Sequence, residues 1–235
     1  MSAPPRMPSR APLSAEDIAY WYFRLNGFLL VENFYVHPPG SGGARTDADL
    51  LAVRFPHRAE RLFDDPNDVM VDDAQALALT RDRTDVVIAE IKEGRCALNG
   101  PWTDPDRRNM QRVLAALGCL PHARIPDAAA ALYQHGYFED DATLRVRLVA
   151  VGARTDEDIR TRYPRVSQVT LPDALGFIYR RLQRYRHQKT DTQHWNRTGR
   201  LLKQKAGKHH RAEDEFISWA LGALNRGPSE AGQEP

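Results

Sequence analysis

Apolar and polar positions change their spacing several times along the chain, and each change marks an element. From Ser14, apolar side chains return at helical spacing through Ile18, Tyr22 and Leu25, with Glu16 and Asp17 in a first turn that Ser14 can cap. This predicts a helix stopped by Asn26-Gly27. Phe28 to Val36 is apolar and rich in β-branched and aromatic residues, as a strand requires, and Pro38 to Gly43 reads as an exposed turn. A second strand is predicted from Asp47 to about Phe55. Residues 56–84 show no regular period: Pro56, the acids Asp64, Asp65, Asp68, Asp72 and Asp73, and a short apolar piece from Ala74 to Leu79 point to an insertion or long connection.

Asp85 to Lys92, DVVIAEIK, is a continuous apolar run ending in two charges, the pattern of a central strand covered on both faces. Asn99-Gly100-Pro101 marks a loop. After it, Met110, Val113, Leu114 and Leu117 within Arg107 to Leu117 predict a crossover helix. Leu144 to Val151 and Val166 to Leu171 read as further strands. Pro172 to Arg186 suits a helix with proline near its start, and Glu213 to Leu224 sets Phe216, Ile217, Ala220, Leu221 and Leu224 on one helical face. The expected class is α/β, a mixed central β-sheet flanked by helices. Residues 14–171 would form the core and 172–226 a helical extension of the same domain, with tails at 1–13 and 227–235. No internal repeat is visible.

Composition narrows this picture. A chain of 235 residues that is 42% hydrophobic can bury one sizeable core. No window approaches the roughly 18 to 20 consecutive apolar residues of a membrane helix. The first residues are rich in Pro, Ser and Arg without the apolar stretch of a secretory signal, so a cytoplasmic protein is expected. Cys96 and Cys119 are too few for a disulfide framework or a cysteine-based zinc site.

Charge is unevenly spread. The formal net charge is only +2, yet Tyr179 to Arg211 holds Arg180, Arg181, Arg184, Arg186, Lys189, Arg197, Arg200, Lys203, Lys205, Lys208 and Arg211 against Asp191 alone. Such runs are usually solvated helix faces. Here the cations alternate with Tyr179, Tyr185, His187, His194 and Trp195, which favours nucleic acid, because aromatics stack on bases while cations meet phosphates. Arg180, Arg181, Arg184, Arg186, Lys189, Lys203 and Lys205 are the expected contacts. His194, His209 and His210 lack metal-ligand spacing and read as flexible basic histidines.

Candidate chemistry lies at the end of DVVIAEIK. Residues two apart on a strand share a face, so Glu90 and Lys92 project together. A carboxylate and an ammonium on an apolar strand are expensive to desolvate unless they pair or face a polar cleft. The strand from Asp47 likewise places Asp47 and Asp49 at the head of an apolar run. Asp47 reads as an exposed strand-start residue, whereas Asp49 and Glu90 can share a cation if the strands are neighbours. One Asp and one Glu suit Mg²⁺, with Mn²⁺ as a substitute, and phosphodiester hydrolysis is the chemistry that uses such a set.

In this arrangement the chain resembles the PD-(D/E)XK superfamily, the restriction-endonuclease-like nucleases. The resemblance rests on Glu16 in the leading helix, the DADLLAV strand with Asp49, and AEIKEG with Glu90 and Lys92, in the order of that family's αβββαβ core, over roughly Ser14 to Val151. It implies that Asp49 and Glu90 bind the metal, that Lys92 assists the nucleophile, and that Glu16, otherwise a residue serving its helix dipole, is an auxiliary ligand. The stretch between Asp49 and Glu90 is longer than the hairpin usual in the family, which leaves an acid of the inserted segment, or Asp85, as alternatives to Asp49. No proline stands directly before Asp49. The expected function is therefore metal-dependent hydrolysis of phosphodiester bonds in nucleic acid, with DNA the substrate the resemblance implies and a homodimer a way to cut two strands. The alternatives are a catalytically inactive nucleic-acid-binding module, or a component of a defence or repair complex with the same fold.

Overall fold

The computed structural model describes residues 13–36, 46–61, 68–140 and 143–224. The expected turn at Pro38 to Gly43, the acids Asp64 and Asp65, and nearly all of both tails lie outside these residues. Helix α1 (Ala15–Leu25) opens with the cap read from the sequence: the Asp17 amide donates to Ser14 Oγ at 3.1 Å and the Ser14 amide donates to Asp17 Oδ2 at 3.2 Å. Strands β1 (Leu29–Val36), β2 (Thr46–Arg54) and β3 (Thr84–Ile91) follow as an antiparallel meander. Between β2 and β3 the described residues form no helix or regular strand, although Met70 and Leu77 are buried.

Helices α2 (Gly100–Thr103), α3 (Asn109–Leu117) and α4 (Ile125–His135) lead through the short β4 (Tyr137–Glu139) to β5 (Leu144–Gly152), which runs parallel to β3. Helix α5 (Glu157–Arg162) and β6 (Ser167–Thr170) come next. The chain then enters α6 (Leu171–Arg184), α7 (Arg197–Lys208) and α8 (Glu213–Leu224). The sheet runs β1-β2-β3-β5, and the outer edge of β5 is shared by antiparallel β4 at its start and parallel β6 at its end. This is the α/β class with a mixed central sheet flanked by helices. None of the described helices is long and apolar enough to cross a membrane.

Alternation along β3 divides the helices into two layers. Val87, Ala89 and Ile91 pack with the buried side chains of α1, α6, α7 and α8, among them Phe23, Leu175, Leu202 and Phe216. Val86 and Ile88 pack with those of α2 to α5, among them Trp102, Met110, Leu132 and Ile159. The basic extension thus covers one face of the sheet and the crossover helices the other. Helix α7 was not expected. It approaches α1 through small residues, and a Cβ on Gly199 would come within 1.9 Å of the Trp21 ring. Thr198 Oγ1 donates to Asp17 Oδ1 at 3.0 Å, and Trp21 Nε1 donates to Asn196 Oδ1 at 3.0 Å.

At the amino end of β3, Asp85 is 1% exposed and receives both Arg145 and Arg147 from β5, through contacts of 2.6–3.0 Å to its two oxygens. Burial would raise its carboxyl, but Arg147 and Arg145 outweigh burial and hold it below the usual aspartate range. Asp85 shares the α1 face with Val87 and Ile91, at the far end of the strand from Glu90, so it does not take the place of Asp49.

Candidate active site

Two neighbouring strands bring the sequence-predicted residues together. The β2–β3 ladder pairs Arg54 with Asp85 through to Leu50 with Ala89 and stops there, one step short of setting Asp49 opposite Glu90. Beyond that point the Ile91 amide donates to the Asp49 carboxylate, Oδ2, at 2.7 Å, a side-chain bond where a ladder bond would otherwise continue. The other neighbour of Asp49 is irregular as well. In the register of Glu32 with Leu50 and Phe34 with Ala48, the residue across from Asp49 is Asn33, whose φ is +50°. Asn tolerates this left-handed conformation better than most residues.

Glu90 lies on the same face of β3 as Val86 and Ile88 and is 2% exposed. Trp102 Nε1 donates to its Oε2 at 2.7 Å, while Lys92 Nζ and Asn99 Nδ2 both donate to its Oε1. Burial, foremost, raises the Glu90 carboxyl above the ordinary glutamate value; the Lys92 contact opposes this and the Asp49 charge adds to it. Lys92 Nζ lies 3.9 Å from Asp49 Oδ2, with the lysine side chain 33% and the aspartate side chain 22% exposed. Both carboxylates therefore lie beside the Lys92 ammonium, one buried and the other reached by solvent.

Short elements after Lys92 fix this geometry. Pro101 is the second residue of α2, and the one-turn helix buries Trp102 against Glu90. Asn99 occupies the N-cap position of α2; its side chain makes no cap bond, and its amide nitrogen donates to Glu90. Gly94 O accepts from the Ala153 amide at 2.5 Å and the Cys96 amide donates to Arg154 O at 2.8 Å, tying the loop to the end of β5. Only glycine fits at position 152, where a Cβ would come within 2.6 Å of the Cys96 amide nitrogen. In the sequence Asn99 marks a loop, and Trp102 follows it directly after Pro101. Their roles as donors to Glu90 had no local signal beyond their position just past Lys92.

The remaining expected residues are placed elsewhere. Glu16 is half-buried in the first turn of α1, in the layer on the other face of the sheet from Glu90, and makes no hydrogen bond or salt bridge to Asp49, Glu90 or Lys92. Among the described residues no three His, Cys, Asp or Glu side chains are grouped to hold a metal ion. The acid pair nevertheless fits a magnesium-like cation. Mg²⁺ keeps most of its waters and takes only one or two carboxylates, and here two carboxylates, one of them desolvated, lie beside the same ammonium where solvent reaches Asp49.

The basic segment divides in two. Arg181 lies in the interior rather than on a basic surface: it is 2% exposed, with Nη2 donating to Asp72 and to Leu25 O, each at 2.6 Å. Lys189 pairs with Glu60 at 2.5 Å, and Arg180 pairs with Glu213. Arg184 and Arg186 are exposed, while Lys203 and Lys205 are half-buried, their ammonium groups 5.9 Å from the centre of the Trp195 ring and 5.1 Å from that of the Trp219 ring. Compared with protein-family models, with curated proteins and with solved structures, the chain matches none.

Proposed function

We propose that the chain is a metal-dependent nuclease of the PD-(D/E)XK, restriction-endonuclease-like kind, hydrolysing phosphodiester bonds in nucleic acid, DNA first among the candidates. The observation that carries this reading is the meeting of Asp49, Glu90 and Lys92 where β2 and β3 part, with two acids facing one ammonium. Asp49 and Glu90 would hold Mg²⁺ or Mn²⁺, which, when bound, lowers the pKa of water and offsets charge on the phosphate. Trp102 and Asn99 fix the rotamer of Glu90, so its carboxylate is already oriented when substrate arrives. Lys92 carries its protons at Nζ beside both acids, where it donates to an attacking water or to a phosphate oxygen as charge builds.

Cleavage of labelled linear, nicked and branched DNA by the purified chain with Mg²⁺, with Mn²⁺ and with EDTA tests the reading. Metal-dependent cutting is expected, reduced at least a hundredfold, roughly the loss of one preorganised electrostatic group, by Glu90→Ala and by Lys92→Ala. A second reading draws on a different observation. Both oxygens of Glu90 already have donors, as a purely structural ion pair would. A protein that binds DNA, never cuts, and shows no rise in melting temperature with Mg²⁺ or Mn²⁺ is the binding module of that second reading.

A further inference from the structure

The exposed cations of α7 form one stripe. Arg197, Arg200, Gln204 and Lys208 recur at i, i+3, i+7 and i+11, the spacing of a single helix face, and all four are exposed. The opposite face, Thr198, Gly199, Leu202 and Ala206, is buried. Three other cations of the basic segment are matched with acids, Arg180 with Glu213, Arg181 with Asp72 and Lys189 with Glu60, whereas Arg184 and Arg186 stand exposed without one among the described residues. Along the stripe no cation is matched: Arg197, Arg200 and Lys208 form no salt bridge among the described residues, and α7 contains no acidic residue.

The placement also runs against the helix. Arg197 and Arg200 sit in and just after the first turn, where the backbone dipole is positive and favours anions, so the free protein gathers like charge at that end. Arg200 is held in place there, its Nη1 donating to Trp195 O at 2.6 Å. From Arg197 to Lys208 the stripe extends about 16 Å at 1.5 Å per residue, longer than any single small anion and suited to a row of phosphates.

We propose that this face of α7 binds the phosphodiester backbone of nucleic acid, in the helix layer opposite the one that holds Glu90. The proposal rests on the nucleic-acid part of the function above and not on its chemistry, so binding here can persist in a chain that does not cut. Guanidinium groups bind phosphate oxygens in pairs, and each contact releases counterions.

The test is fluorescence anisotropy of a labelled short duplex with the full chain, in EDTA to prevent cutting, over a range of salt. Wild-type affinity falls steeply with salt. The Arg197→Gln/Arg200→Gln/Lys208→Gln variant lowers the slope of log K against log salt by about 0.9 for each contact removed. Because Arg200 also holds the Trp195 carbonyl, Arg197→Gln/Lys208→Gln is measured alongside and lowers the slope by about two-thirds as much, on that same per-contact scale. Arg160→Gln/Arg162→Gln, on exposed positions of α5 in the other layer, leaves the slope unchanged. No binding by the wild type, a wild-type slope in the α7 variants, or an equal drop in the α5 variant would overturn the proposal. Binding is read in EDTA, where nothing is cut, so failure here is distinct from failure of the catalytic reading, which is read as cleavage with Mg²⁺ or Mn²⁺.

Discussion

The two ends of β3 carry two clusters of opposite design. At its amino end one acid, Asp85, meets two guanidinium groups, and all three side chains are almost fully buried. At its carboxyl end two acids, Asp49 and Glu90, meet one ammonium, and solvent reaches two of the three. The consequence for protonation follows directly. Asp85 is held below the ordinary aspartate value and Glu90 is pushed above the ordinary glutamate value. A cluster with excess cation and no water satisfies itself and ties strands together. A cluster of two acids that solvent reaches from one side is open to an ion from solution.

The largest effect that distinguishes them belongs to the closed cluster. Asp85→Ala leaves two buried guanidinium groups without their carboxylate and should destabilise the fold by about 3–5 kcal/mol, read from urea unfolding, whereas Lys92→Ala changes stability far less. Equal losses would remove the distinction. A smaller effect is expected at the open end. Trp102→Phe keeps the apolar ring but withdraws the donor to Glu90 Oε2, which should cost about 1–3 kcal/mol as that oxygen loses its partner. Cleavage should fall along with stability, and an unchanged rate would mean that Trp102 packs without positioning.

The subtlest difference is in pH. The lowered carboxyl of Asp85 contributes stability that is present above its unfolded pKa and lost as pH falls through the folded one. The raised carboxyl of Glu90 does the reverse, its contribution being present below the unfolded value and lost as pH rises through the folded one. Thermal melts from acid to neutral pH should therefore show the deficit of Asp85→Asn against wild type widening as pH rises, and that of Glu90→Gln narrowing. Curves that move in the same direction would contradict the opposed environments.

Much of this was legible where local pattern decides structure. The unbroken apolar run of DVVIAEIK announced a central strand, and Ser14 with Asp17 announced a capped helix, because burial on both faces and capping are short-range demands. Helix α7 escaped notice because its buried stripe is small, Thr198, Gly199, Leu202 and Ala206, in place of the bulky residues that usually mark a packed face. The Ala-rich α4 and the brief β4 were hidden for a similar reason. Convergence of Asp49, Glu90 and Lys92 could be expected from strand order, whereas the union of Asp85 with Arg145 and Arg147 depends on pairing across some sixty residues of chain. Nor could composition reveal which cations were already matched. Arg181 reads like Arg184 in sequence, but the first faces Asp72 in the interior and the second faces water.

The backbone turn at Asn33 reaches beyond the acid pair. Strand β1 closes one side of the sheet and, among the described residues, pairs only with β2, while Leu29, Val31 and Tyr35 stand exposed along it. A straight apolar border of that kind is a template on which further chains can stack as added strands. With φ at +50°, Asn33 breaks the regular extended backbone near the middle of that border, while the register with β2 stays the same on both sides of it. The irregularity beside Asp49 thus also falls on the border where a regular strand would most readily accept another.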